Sequence, residues 1–263
     1  MNKTIIEWCD YTWNPITGCW GPGGTAEQPN RCWYCYAQKM AERFNSSKIA
    51  GEKIRVFKDP FRPIARPERL GEPDRIKKPS RIFVCSMGDL FGDWVPADWI
   101  KKVLGVAARN SRQKFLFLTK NPARYREFNP WLSNCWLGAT VTNQHHAETK
   151  LPVLLQADAA VRFVSVEPML GPVDLEIPYG QGVGDLVLEP TQGRSHLDWI
   201  IIGALTGPGA MKYKPRQEWV QSLINQARAA NVPVFLKDNL NWPEAIREWP
   251  HLAPAALCGG GVC

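Results

Sequence analysis

Six short apolar runs, each closing on polar residues, recur along the chain: RIFVCSMGDLF from Arg81, KFLFLTKNP from Lys114, WLGATVTNQ from Trp136, VRFVSVEPM from Val161, WIIIGALTGPG from Trp199 and VPVFLKDN from Val232. Val, Ile, Leu and Phe follow one another in them almost without polar interruption. Strands covered on both faces have that pattern, and such strands belong to parallel sheets. A further strand is expected within residues 11–18. Helical stretches separate the runs. PADWIKKVLGVAARN sets Trp99, Ile100, Val103, Leu104 and Ala107 on one face, and Pro96 suits a helix start. RQEWVQSLINQARAAN does the same with Trp219, Val220, Leu223, Ile224 and Ala227, and Asn231 is its stop. HHAETKLPVLLQADAA reads as a weaker helix, interrupted by Pro152. Regular strand–helix alternation predicts an α/β chain. Six or seven such units predict a full or partial TIM-type barrel, with a doubly wound open sheet as the competitor.

Two segments break the alternation. Residues 171–198 hold two short apolar runs around GQGVGD, the pattern of an inserted hairpin. Residues 53–81 carry ten Lys or Arg against four Asp or Glu, together with five prolines. That composition predicts a loop or irregular excursion rather than a helix or strand. It is either a basic flap over a polyanionic substrate, nucleic acid included, or a solvated basic loop. With 44% hydrophobic and 22% charged residues the balance is that of a globular protein with a sizeable core. The chain divides into one barrel domain, residues 1–250, and a tail, residues 251–263.

In a parallel α/β barrel the active site lies at the C-terminal strand ends. Those ends supply Ser86 and Asp89, Thr119 and Lys120, Thr140, Thr142 and Asn143, Ser165 and Glu167, Gly203, Thr206 and Gly207, and Lys237 and Asp238. A charge directly after buried apolar residues needs a partner or a ligand, because an unpaired buried charge is costly. Lys120, Glu167 and Lys237 are therefore candidate catalytic residues suited to an anionic substrate. The alternative is an internal Lys–Glu pairing that only closes the barrel top, and Asp238 is a further neighbour for Lys237.

TGCWGPGGTAEQPNRCWYCYAQKMAERF, residues 17–44, holds Cys19, Cys32 and Cys35. The N-terminus has no apolar signal region, and no run approaches the roughly 18 apolar residues of a membrane span. A cytoplasmic location and no membrane association are expected. In a reducing compartment the eight cysteines point to metal binding or catalysis rather than disulfides. Zinc wants four ligands, the fourth from Cys9 or elsewhere, since the histidines lie at 145, 146, 196 and 251. On that reading the protein is a zinc-stabilised nucleic-acid-binding module built on the three cysteines and the basic loop. The other reading is an iron–sulfur cluster, whose three thiolate ligands leave one iron open. Cys85 and Cys135 fit small core residues. Cys258 and Cys263 end the chain, either serving a second metal centre or lying in a disordered tail.

The three-cysteine segment, with an aromatic Tyr34 just before the last cysteine, resembles the signature of the radical S-adenosylmethionine enzymes. Twelve residues separate Cys19 from Cys32 where the common pattern has three, so GPGGTAEQPN reads as an inserted loop. TWNPITGC, FVCSMGDLF, FLTKNPARY, WLGATVTNQ, VRFVSVEPMLGPVDL, WIIIGALTGPGA and VPVFLKD together resemble the phage-protein family with a three-cysteine motif, over residues 5–240. The resemblance implies a [4Fe-4S] cluster on Cys19, Cys32 and Cys35, with S-adenosylmethionine chelating the fourth iron. It places Ser86 and Asp89 near the cofactor's amino group, Thr140, Thr142 and Ser165 at its ribose or carboxylate, and Gly203 along its adenine, with Tyr34 beside the cluster. It also implies an electron donor such as flavodoxin or ferredoxin.

Overall fold

The computed structural model describes residues 1–49, 52–177, 196–207 and 209–250. Seven strands carry the fold: β1 (Tyr11–Trp13), β2 (Arg81–Val84), β3 (Lys114–Thr119), β4 (Cys135–Val141), β5 (Val161–Val166), β6 (Trp199–Ile202) and β7 (Val234–Leu236). Every neighbouring pair is parallel, and the order in the sheet is the order in the chain. A doubly wound sheet reverses its order at a switch point. The monotonic order therefore selects a curled half-barrel of the TIM type. A two-residue strand, Asn2–Lys3, pairs antiparallel outside β1. No ladder joins β1 to β7 among the described residues, and chain ends fill the seam. The β7 backbone bonds Ile246 and Glu248, and the Glu7 carboxylate accepts from the Asp238 N–H and from Arg247, each at 2.9 Å.

The helices are α1 (Tyr36–Phe44), α2 (Ala97–Arg109), α3 (Gln144–Leu154) and α4 (Gln217–Ala229). Pro96 caps α2, and Asn231 takes a left-handed φ of 55° just past α4, as both sequence signals require. Pro152 does not interrupt α3. It sits in the last turn, where its missing N–H frees only the carbonyl of exposed Glu148, while buried Leu151 and Leu154 hold the turn against the core.

Side-chain alternation along the strands makes two cores. Outward residues such as Ile82, Phe117, Val141, Val164, Ile202 and Val234 pack under the helices. Inward residues Phe83, Trp136, Phe163, Trp199 and Phe235 meet Trp8 inside the barrel. Ring centroids 4.6 Å (Trp8–Phe83), 5.6 Å (Phe163–Trp199) and 6.1 Å (Trp136–Trp199) apart describe an aromatic plug. Gly138 leaves it room: a Cβ there would stand 2.4 Å from the Phe163 ring. A period of two then fixes what lies above the plug on the inner face: Lys120, Thr140, Thr142, Ser165, Glu167, Gly203 and Lys237.

The basic segment 53–81 differs from the expected irregular loop. Glu52–Arg55 closes a hairpin with Ser46–Ile49, and Ile64–Ala65 pairs with Ile16–Thr17 just past β1. Two 3-10 turns follow, Pro67–Arg69 and Pro73–Arg75. From there the chain runs down beside β1 to the N-terminal edge of the sheet, so this half is no flap over the mouth. Three of its arginines and one aspartate are tied to the scaffold: Arg66 to Thr17, Arg69 to the Asn14 carbonyl, Arg81 to Asp10, and Asp74 to Arg109, while Lys58, Arg62, Arg75, Lys77 and Lys78 are exposed. Of the segment read as an inserted hairpin, Val173, Leu175 and Ile177 are buried against the core. Residues 178–195 lie outside the described residues, as do the tail 251–263 and with it Cys258 and Cys263. Among the described residues no helix is long and apolar enough to cross a membrane.

Candidate functional site

The cysteine loop is pinned to the ends of β1 and β2. Asn14, one residue past β1, accepts the Met87 N–H at 2.8 Å and bonds the Ser86 hydroxyl. Gly18 donates to the Met87 carbonyl at 2.8 Å. Its φ is 87°, and a Cβ would stand 2.0 Å from the Arg62 carbonyl oxygen, so only glycine fits. Cys19 follows, its N–H on the Phe61 carbonyl, while Arg31 bonds the Cys19 carbonyl and pairs with Asp59. Arg31 thus folds the twelve residues between Cys19 and Cys32 back on themselves.

Each thiol has its own setting. The Cys19 sulfur accepts the Gly21 N–H at 3.2 Å. The Cys35 sulfur caps α1, accepting the Gln38 N–H at 3.4 Å. Cys32 lies beside Tyr34, and burial, with Cys32 and Cys35 adding to it, holds the Tyr34 hydroxyl well above the ordinary tyrosine pKa. Burial, with Asp89 adding to it, pushes the Cys19 thiol up to about 12. Such a thiol ionises only when a metal takes the proton's place. Among the described residues no three His, Cys, Asp or Glu converge on one point as a single metal ion needs. Cys19 instead lies within electrostatic reach of Cys35, and Cys19 and Cys32 lie within reach of Lys120.

Lys120 forms no ion pair with a described residue. Burial opposes its charge, yet the anionic forms of Cys32, Tyr34, Asp89 and Cys19 nearby outweigh burial and hold its pKa above the ordinary lysine value. Its position is set by Asp89, which is 7% exposed. That carboxylate accepts from the Thr119 hydroxyl at 2.7 Å, the Lys120 N–H at 3.0 Å and the Phe91 N–H at 3.1 Å. The carboxylate that sequence placed on the cofactor therefore braces β3, and Thr119 faces it rather than the mouth. Ser86 is likewise engaged by Asn14, and its carbonyl takes the Tyr36 hydroxyl.

Across the mouth, Glu167 and Lys237 pair with each other. They stand one residue past β5 and β7, with Gly203 one residue past β6 between them. A Cβ on Gly203 would stand 2.9 Å from Lys237 Cδ and 3.1 Å from Glu167 Cδ, so the glycine makes room for the pair. Asp238 pairs with Arg247 instead of Lys237. Thr140 and Ser165 are register neighbours. The Ser165 hydroxyl, 1% exposed, finds no hydrogen-bond partner. Thr142 bonds His146 at 2.9 Å, and Lys150 donates to the Thr140 carbonyl at 3.1 Å. Burial, aided by the charge of Lys120, pulls Lys150 down to about 8. Thr206 and Gly207 lie exposed on the rim, and Asn143 caps α3.

Residues 3–253 match the family described as “Protein of unknown function (DUF5131)”. The chain belongs to this family. No curated protein matches it. The half-barrel is similar to a structure described as “Spore photoproduct lyase complexed with dinucleoside spore photoproduct”, at 11% identity and a TM-score of 0.53, covering 90% of this chain and 79% of that one. A point mutant of spore photoproduct lyase aligns at 12% identity and a TM-score of 0.44 over 89% of this chain, which spans 57% of the mutant's length. Spore photoproduct lyase is a radical S-adenosylmethionine enzyme, and the first likeness shows that the two chains share a fold. Sequence reasoning missed Asn14, Tyr36 and the Gly18 contact. The signal for Asn14 was present in TWNPITGC, directly ahead of the first cysteine.

Proposed function

We propose that the protein is a radical S-adenosylmethionine enzyme acting on an anionic substrate. The observation that carries this reading is the position of Cys19, Cys32 and Cys35 in the loop that follows β1, with Cys19 and Cys32 within electrostatic reach of the Lys120 ammonium. The donor set fits a [4Fe-4S] cluster. Three soft thiolates suit iron–sulfur chemistry, and a cube-shaped cluster takes them at three separate corners rather than at one point. The zinc-module reading asks for four ligands around one ion, a grouping the described residues do not offer. The orphaned Ser165 hydroxyl fits a bound polar molecule in the barrel.

Bound there, the cluster and S-adenosylmethionine would supply a 5′-deoxyadenosyl radical able to abstract hydrogen. The chain's own part is to bind, orient and exclude water. Lys120 offers its charge to a carboxylate or to the substrate, and Asp89 fixes where that charge sits. Ser165 and Thr140 present hydroxyls to a ribose. Glu167 and Lys237 hold each other across Gly203 and can exchange that partner for a substrate group. The aromatic plug closes the barrel floor to solvent. The electrons come from a reduced carrier such as flavodoxin or ferredoxin.

The test is anaerobic reconstitution with iron and sulfide. It should give a brown protein that forms 5′-deoxyadenosine when reduced. Cys32→Ala and Cys35→Ala should each lose both the colour and the nucleoside, while Cys85→Ala, whose thiol is buried under the sheet, keeps them. A colourless wild-type protein holding stoichiometric zinc would refute the reading.

A further inference from the structure

Aromatic side chains are usually buried, yet the rim of this mouth displays several. Trp33, between the second and third cysteines, is 54% exposed, and Tyr213, in the loop after β6, is 39% exposed. Their ring centroids lie 4.7 Å apart at 49°, and Tyr34 meets Trp33 in a T-shaped contact at 5.4 Å. The contact spans the seam between the two ends of the sheet, and neither exposed ring belongs to a core cluster. Cations surround them. The Lys212 ammonium lies 5.8 Å from the Tyr213 ring. Lys39 shares with Trp33 and Arg31 a cleft of about 350 Å³. Lys39, Lys212 and Lys214 are exposed and form no ion pair with a described residue. The nearby acids are engaged: Asp59 holds Arg31, and Glu42 accepts from Gln38. The rim is thus a pair of partly exposed, mutually packed rings edged by free ammonium groups.

We infer that Trp33 and Tyr213 form a stacking platform for an unpaired base of a single-stranded nucleic acid, whose phosphates lie against Lys39, Lys212 and Lys214. Every base has a π-face, so aromatic platforms hold single strands without needing a fixed sequence, and the backbone charge supplies the remaining affinity. An acidic protein would satisfy the lysines but gives no reason for flat rings held open to solvent. The inference rests on the mouth being the substrate entrance of the proposed enzyme, and it narrows the anionic substrate to one that carries bases.

The experiment measures fluorescence-anisotropy binding of three labelled probes to the full chain at low and physiological salt. The probes are a thymidylate dodecamer, an abasic dodecamer of equal charge, and a glutamate oligomer. The thymidylate should bind more tightly than the abasic strand. Trp33→Ala and Tyr213→Ala should each weaken thymidylate binding about 5- to 150-fold, the effect of losing one base stack, and leave the abasic strand nearly unaffected. Trp33→Phe should restore most of the loss, which separates stacking from a disturbed loop. Replacing Lys212 and Lys214 by Gln should flatten the salt dependence for both strands. Equal binding of the two strands, or a glutamate oligomer that binds as tightly and responds to Trp33→Ala, would overturn the inference. Iron content of the same preparations reports separately on the cofactor. A brown protein blind to bases refutes the platform alone, and a colourless one that stacks bases refutes only the radical chemistry.

Discussion

Ser165→Ala should make the protein more stable and worse at its work. The Ser165 hydroxyl is buried on the inner wall with no partner. A buried polar group left unmade costs about 1–3 kcal/mol. Removing the oxygen leaves a gap of roughly 10 Å³, which at about 24 cal/mol per Å³ returns only about 0.2 kcal/mol. The net gain is therefore about 1–2.5 kcal/mol. For a chain of this size it raises the melting temperature by roughly 2–8 °C. S-adenosylmethionine should bind the variant roughly 2- to 12-fold more weakly, the worth of about 0.5–1.5 kcal/mol for one lost hydrogen bond. The assay is thermal melting with and without S-adenosylmethionine, in which the variant starts higher and gains less on ligand addition. A variant that melts below wild type, or that binds the ligand equally well, refutes the reasoning.

Asp89→Asn keeps the shape but turns one acceptor into a donor facing the Thr119 hydroxyl or the Lys120 N–H. It should cost about 1.5–3 kcal/mol in melting experiments and lower turnover further by releasing Lys120. Gly203→Val fills the space between Glu167 and Lys237, so the pair should part. Glu167→Gln should then add little to the turnover loss of Gly203→Val while being harmful alone, as a double-mutant cycle would show. Burial, with the charges of Lys150, His145 and Lys120, pulls His146 from the ordinary 6.5 down to about 4. Folding therefore favours its neutral form, and that stability is fully present above 6.5 and lost as pH falls toward 4. In denaturant titrations across this window His146→Gln should show a shallower fall in stability than wild type.

The strands were legible because a sheet covered on both faces admits little but apolar residues, and the helices because their apolar faces repeat at 3.6. The alternation gave parallel strands but not their order, since a doubly wound sheet has the same alternation and only the pairing decides between them. What the side chains do at the strand ends could not be read either, since it depends on partners distant in sequence. Asp89 and Lys120 are both polar residues after apolar runs, yet one is enclosed by Thr119 and Phe91 and the other stands free. The Glu167–Lys237 pair needs the register of three strands and the missing side chain of Gly203. The basic segment was only half legible: the exposure of Lys58, Arg62, Arg75, Lys77 and Lys78 fits a solvated loop, while the partners Asp10, Thr17 and Arg109 that tie its other charges are not visible in sequence. Pro152 misled because its effect depends on which turn it occupies.

Among the described residues the aromatic plug closes the floor of the half-barrel, which leaves the C-terminal strand ends as its mouth. A ligand that enters by the mouth toward Ser165 leaves by the same way. A small molecule seated deep must therefore enter before a larger one covers it, and the large product must depart before the small one can be exchanged. Steady-state kinetics should show compulsory order, with the deeper ligand binding first and leaving last. Excess of the larger substrate should then trap spent cofactor beneath it and inhibit turnover.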